Sequence, residues 1–180
     1  MKNALTKENT ALIVIDIQEK FLPVIKNIDL VIENTIKLIK SFQLMNIPVI
    51  VTEQYPKGLG RTVHEIKKEL KDYKPIEKIC FSCFDNKEFH NNIKNKKNLV
   101  ICGIESHVCV TQTLIDAISK GFTVHLVIDA ISSRKRLDYK TAVKRAKQEG
   151  ALITSTEMII FQLLKMAGTE EFKEIAKIIK

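Results

Sequence analysis

The sequence predicts an α/β fold: a single doubly wound domain over residues 1–180, built as a six-stranded parallel sheet with helices on both faces. Three observations predict it. Short β-branched apolar runs alternate with segments of helical period along the chain. The first run, Thr10-Ala-Leu-Ile-Val-Ile-Asp16, is nearly all apolar, as a strand covered on both faces must be. No repeat, low-complexity linker or change of composition divides the 180 residues, a length that suits one domain with a substantial core.

Each element has its own signal. After the strand ending at Asp16, residues 29–45 place Leu30, Val31, Ile36, Leu38, Ile39 and Phe42 at helical spacing, and Asn46 ends that helix. Ile47 to Thr52 is a second strand, with Pro48 where a strand tolerates it. Residues 54–60 read as a loop and 62–70 as a helix. A third strand covers 74–79. Asp85 can cap a short helix to residue 94. Leu99 to Cys102 is the fourth strand, and residues 107–120 form a helix that Gly121 closes in the left-handed conformation. Thr123 to Ile128 is the fifth strand, ending at Asp129. A helix over 138–149 stops at Gly150, the sixth strand is 151–154, Ser155 caps a helix over 157–164, and an amphipathic helix fills 169–179.

Composition narrows the function classes. No apolar run reaches the roughly 18–20 residues that cross a bilayer, so no membrane role is expected. The polar N-terminus does not resemble a signal peptide, which makes the cytoplasm the expected location. The net charge of +8 suggests anionic partners, but the lysines are scattered among glutamates over nearly every helix. The densest basic run, residues 132–137, reads as a solvated loop, and no aromatic-basic surface points to nucleic acid. Cys80 and Cys83 form a C-x-x-C in an apolar strand-to-loop transition. Without a second close pair, packing explains them better than zinc or redox exchange.

The chemistry gathers where strands end. In a doubly wound sheet, ligands sit outside the carboxyl ends of the strands, near the reversal of strand order. Asp16, Thr52, Glu53, Lys78, the run Glu105-Ser-His-Val-Cys109 and Asp129 lie at such ends. No G-x-G-x-x-G follows the first strand, so a dinucleotide is not expected. Cys109 opens a helix, whose field favours a thiolate nucleophile. Asp16 is the candidate base, Lys78 holds it ionised, and backbone N–H groups at Glu105 and Cys109 are candidate oxyanion donors. His107 is the rival base, but two residues from Cys109 it points to a different side.

These residues carry a resemblance. Ala11 to Phe21, Ile47 to Gly60, Lys78 to Ser82 and Val100 to Val110 together resemble the isochorismatase-like cysteine hydrolase family, which includes nicotinamidases and carbamoylsarcosine amidases. Within it, the chain is most similar to the isochorismatase domain-containing proteins, some of which carry a MAR1 ribonuclease label. The resemblance implies an aspartate–lysine–cysteine triad, here Asp16, Lys78 and Cys109, and a cis peptide after the Gly103 turn, at Ile104–Glu105. Nicotinamidases bind a metal through an aspartate and histidines after the second strand. Thr52-Glu-Gln-Tyr55 stands there instead, with His64 beyond the loop, so no metal and no cofactor are expected. Glu53, Gln54 and Tyr55 become substrate-contact candidates and Phe21 an apolar wall.

The expected activity is metal-independent hydrolysis of a C–N bond in a small amide through a thioester. The alternatives are a binding or scaffold protein that keeps the triad pocket with little turnover, and a thiol sensor of oxidation. A homo-oligomer is implied by the resemblance. The apolar face of the last helix (Phe172, Ile175, Ile178, Ile179) fits an interface or packing on its own sheet equally well.

Overall fold

The structure, a computed structural model, describes residues 4–180. Six strands, β1 (Thr10–Ile15), β2 (Val49–Gln54), β3 (Ile76–Lys78), β4 (Asn98–Ile104), β5 (Thr123–Ser132) and β6 (Leu152–Thr154), form one parallel sheet in the order β3-β2-β1-β4-β5-β6. Eight helices follow: α1 (Ile28–Leu44), α2 (Pro56–Leu59), α3 (His64–Lys67), α4 (Lys87–Ile93), α5 (Thr111–Ser119), α6 (Arg136–Glu149), α7 (Thr156–Leu164) and α8 (Glu170–Ile179). None is long and apolar enough to cross a membrane.

The side-chain period of two divides the core. Leu12 and Val14 of β1 join an apolar cluster with Leu38, Ile39 and Phe42 of α1, Ile159 and Ile160 of α7 and Ile175 of α8. Ala11, Ile13 and Ile15 point the other way, into a cluster with Phe89 of α4, Leu114 and Ala117 of α5 and Ala146 of α6. Every β1 residue is buried, which is why its sequence shows no alternation. Phe172, Ile178 and Ile179 of α8 pack partly buried against the first cluster, so packing on the chain's own core accounts for that helix's apolar face.

The strand order reverses between β1 and β4, and both strands pair closely to their carboxyl ends, Ile15 opposite Gly103. Gly103 has φ +117°, and a Cβ there would lie 2.1 Å from the Ile15 carbonyl oxygen. Only a residue without a side chain lets the two strands meet at this point.

Several boundaries differ from expectation for physical reasons. Asp16 is not part of β1: it turns left-handed (φ 52°) just after the strand, with its N–H still on the Thr52 carbonyl at 3.2 Å. The helix expected over 62–70 shrinks to α3. Thr62 bridges Gln18 and the Val63 N–H reaches the Ile17 carbonyl at 3.0 Å, which holds this stretch extended until His64. The expected loop after β2 contains the short helix α2. The helix expected from 107 is divided between a π-helical turn, Ser106–Val110, and α5. β5 runs on to Ser132, so Asp129 lies inside the strand. Its Oδ1 accepts from Thr156 N (2.8 Å) and Oγ1 (3.0 Å), capping α7 and standing apart from any reactive cluster.

Gly103→Ala adds a clash to an already unfavourable φ. We expect it to lower unfolding free energy by about 3 kcal/mol or more, read from urea denaturation; a change within experimental error would refute the close approach of β1 and β4.

Candidate active site

Asp16 leaves β1 beside the strand-order reversal, and Lys78 comes from edge strand β3, two strands away. Their side chains are 1% and 0% exposed and meet at 2.7 Å between Oδ2 and Nζ. A buried pair of this kind persists only when its remaining hydrogen-bonding capacity is filled. It is filled here. Thr52 Oγ1 donates to Asp16 Oδ1 at 2.7 Å. Lys78 Nζ also reaches Gln54 Oε1 (2.8 Å) and the carbonyls of Phe81 (3.2 Å) and Cys80 (3.3 Å). An ammonium has three protons, and four acceptors already surround this one. Lys78 therefore acts on its surroundings through charge, with no proton to spare for another ligand.

Gln54 is itself fixed. Its N–H donates to Gln18 Oε1 (2.8 Å), its carbonyl accepts from Gln18 Nε2 (3.0 Å), and its Nε2 donates to the Ile79 carbonyl (2.6 Å), which leaves Oε1 facing Lys78. Burial is the largest single influence and opposes the Lys78 ammonium, but the charge and hydrogen bond of Asp16 together with the neighbouring Cys83 and Cys109 outweigh it and raise the lysine pKa above its ordinary 10.5.

Cys109 stands on the π-helical turn after β4, whose Val108 and Val110 N–H groups both return to the Glu105 carbonyl, at 3.1 and 3.3 Å. The Ile104–Glu105 peptide preceding the turn is cis. The turn is clamped from β5: Glu105 carboxylate accepts from Arg134 N (3.0 Å) and Nε (3.1 Å), and Ser106 Oγ donates to the Ser132 carbonyl at 2.8 Å. The thiol lies within the electrostatic reach of Asp16 and Lys78. Burial first, and then the charge of Asp16, push its pKa up, while Lys78 opposes them only in part. Burial therefore works against the thiolate that the helix field favours: the residue is 6% exposed, and the desolvation of an anion there exceeds the help it receives from Lys78. A second thiol, Cys83, is fully buried nearby, with its N–H bonded to Thr113 Oγ1 at 3.0 Å, and burial raises it to about 12.

His107 turns towards α6. Its Nδ1 lies 3.0 Å from Ser133 Oγ and its Nε2 3.8 Å from Asp138, so it does not serve Cys109. Glu53, expected at the substrate, faces the interior instead. It is fully buried, and its carboxylate takes donors from Thr62 N (2.6 Å), Thr62 Oγ1 (2.9 Å), Arg61 Nη1 (2.9 Å) and the Tyr73 hydroxyl. Burial alone would raise its pKa, but these donors hold it below the ordinary carboxylate value. It braces the wall of the site and offers nothing to a ligand. Phe21 packs against the α1-side core, whereas Cys109 belongs to the opposite cluster. Tyr55 is half exposed and walls a cavity of about 460 Å³ together with Pro56, Lys57 and Ile79. Of the four expected contacts, Tyr55 remains open to a ligand and Gln54 serves Lys78.

The supporting residues Gln18, Thr52 and Arg134 were not given these roles by sequence. Thr52 stood at a strand end, which was the one available signal; Gln18 and Arg134 act through distant partners that periodicity does not reveal. Among the described residues, no three His, Cys, Asp or Glu side chains converge as metal ligands would.

Fold and site together define an α/β protein with a buried acid–lysine pair beside a cysteine at the strand-order reversal. The chain belongs to the isochorismatase family, whose domain model matches residues 10–158. It is similar to a secreted isochorismatase effector, Isc1, of Phytophthora sojae, at 41% identity over 98% of this chain and 87% of that protein. Among solved structures, it resembles a MAR1 ribonuclease from Caenorhabditis elegans at 40% identity and TM-score 0.94, covering 98% of this chain and 92% of that one. The YcaC gene product of Escherichia coli, an octameric hydrolase of unknown specificity, aligns at 25% identity and TM-score 0.89 over 97% and 89% of the two chains. The expected cytoplasmic location does not extend to every relative, since the Phytophthora protein is secreted.

Two outcomes follow. Lys78→Met strands a buried carboxylate and should cost about 3–5 kcal/mol in urea denaturation; a loss below about 1 kcal/mol would be incompatible with the buried pair. Cys83 and Cys102 are raised from 9.0 to about 12, and Cys109 higher still, all first by burial. Between those values the unfolded chain releases protons that the folded chain retains, so stability is full below pH 9 and falls as pH rises towards 12. Denaturation midpoints should hold from pH 7 to about pH 9 and decline above it, and replacing Cys102 with Ala should flatten the decline.

Proposed function

We propose that this chain, acting as a single domain, is a cysteine hydrolase that cleaves the C–N bond of a small amide-type molecule through a thioester, without a metal. The observation that carries this reading is the buried Asp16–Lys78 pair set beside Cys109 at the carboxyl edge of the sheet. The family assignment and its octameric hydrolase relative support the class of reaction.

Because the thiol is neutral at rest, attack and deprotonation belong to one event. Sγ of Cys109 bonds to the carbonyl carbon as its proton passes to a free lone pair of Asp16; the C=O electrons move onto oxygen, which the N–H groups of Glu105 and Cys109 receive. The C–N bond then breaks and the leaving nitrogen takes the proton from Asp16. A water molecule, deprotonated by Asp16, attacks the thioester, and the acid leaves as the thiol recovers its proton. Lys78 stays charged throughout and faces Asp16 between the two transfers. Tyr55 borders the substrate, and Gln54 holds Lys78 in place. The octameric relative also supports self-association of this chain.

One observation favours a second reading, a binding protein that keeps the triad with little turnover. Cys109 is only 6% exposed and borders none of three surface cavities, of about 630, 560 and 460 Å³.

Purified protein presented with a panel of small amides separates the two. Catalysis predicts a mass adduct on Cys109 that water removes, and a loss of about a thousandfold or more in turnover for Cys109→Ala with an unchanged circular dichroism spectrum. Turnover surviving in that variant would defeat covalent catalysis, and a folded protein with neither adduct nor turnover would favour the binding role.

A further inference from the structure

The largest of the three cavities, about 630 Å³, is separate from Cys109. It opens beside β5, where pairing with β4 is irregular: Leu126 stands opposite Ile101, yet Ile131 stands opposite Gly103. The additional residues of β5 bow away from β4, and Tyr139 Oη holds the bow by donating to the Ile128 carbonyl at 2.9 Å. The size falls within the range of small-molecule sites, roughly 300–1,000 Å³.

Its lining joins an apolar floor to a cationic rim. Val31 and Ile131 are buried in the floor, Leu30 and Tyr139 extend it, and Lys26 and Arg136 stand exposed at the rim. Among the described residues, neither of these cations forms an ion pair, although twelve ion pairs occur elsewhere. The acid in the lining, Asp129, turns its Oδ1 to α7 but keeps its charge, which opposes an anion deep in the cavity and leaves the rim as the place for one. The same rim holds the starts of α1 and α6, neither with a side-chain cap, which adds positive field to the two cations. Asp29 and Asp138 in those first turns offset part of that field, so the charge of Lys26 and Arg136 decides the preference.

We propose that this cavity binds a small organic anion: a carboxylate at the rim, on an apolar body that fills the floor. The site does not depend on hydrolysis. Its wall is joined to the cysteine turn, since Ser132 and Ser133 hold Ser106 and His107.

The test is a titration of the whole protein with benzoate and hexanoate, followed by amide resonances, with benzyl alcohol and hexanol as uncharged controls. Saturable shifts at residues 28–31 and 131–136 are expected for the anions and weaker ones for the alcohols. Arg136→Gln and Lys26→Gln should each weaken binding by about three- to fivefold, as expected for an exposed charge contact, without altering the thermal midpoint. Equal binding of acid and alcohol, shifts confined to another surface, or unchanged affinity in both variants would each overturn the site. A change of oligomer size in either variant would overturn it also, marking the cavity as a contact between copies.

Discussion

The buried contact between Asp16 and Lys78 is the constraint around which the site is arranged. Two opposite charges removed from water lose far more hydration than a single hydrogen bond returns. The surrounding structure therefore has to complete them: the Thr52 hydroxyl on one carboxylate oxygen, the Gln54 amide and two carbonyls on the ammonium. This requirement reaches back into the fold. Gln54 faces Lys78 only because Gln18 holds its backbone on both sides, and the carbonyls of Cys80 and Phe81 are available only where the chain leaves edge strand β3.

The same burial changes the character of the cysteine. A helix N-terminus and a nearby lysine would favour an anion in an open site. Here the loss of solvent and then the adjacent carboxylate weigh more, and both push the thiol pKa up. Chemistry at this sulfur would couple proton transfer to bond formation, with Asp16 as the acceptor already in position. A neutral resting thiol also reacts slowly with adventitious electrophiles and oxidants, because the thiolate is the reactive form. That weakens the oxidation-sensor reading while leaving substrate-driven attack intact.

The two faces of the sheet are used differently. On the α4–α5–α6 side the core reaches the carboxyl edge at Cys109, and the site is tight. On the α1 side the bowed part of β5 leaves an open hollow with a cationic rim. Ser132 and Ser133 line this hollow and also bond the cysteine turn, so that the hollow and the turn are mechanically close.

Much of the fold is legible in the sequence. The alternation of apolar runs and helical periods specified six strands in a parallel sheet, because hydrophobic spacing directly records which faces are buried. Asp16, Lys78 and Cys109 could be singled out because parallel sheets collect ligands at strand ends, and each follows or closes one. What sequence alone could not determine was what each side chain meets across the sheet. Glu53 looked like a ligand contact, but Arg61, Thr62 and Tyr73 enclose it; Asp129 looked like part of the site, but it caps α7. The direction in which the Cys109 pKa moves has the same origin. A local pattern states the helix field, whereas desolvation and the charge of Asp16 exist only once segments far apart in the chain are packed together, and in that low-dielectric setting these long-range terms outweigh the local one.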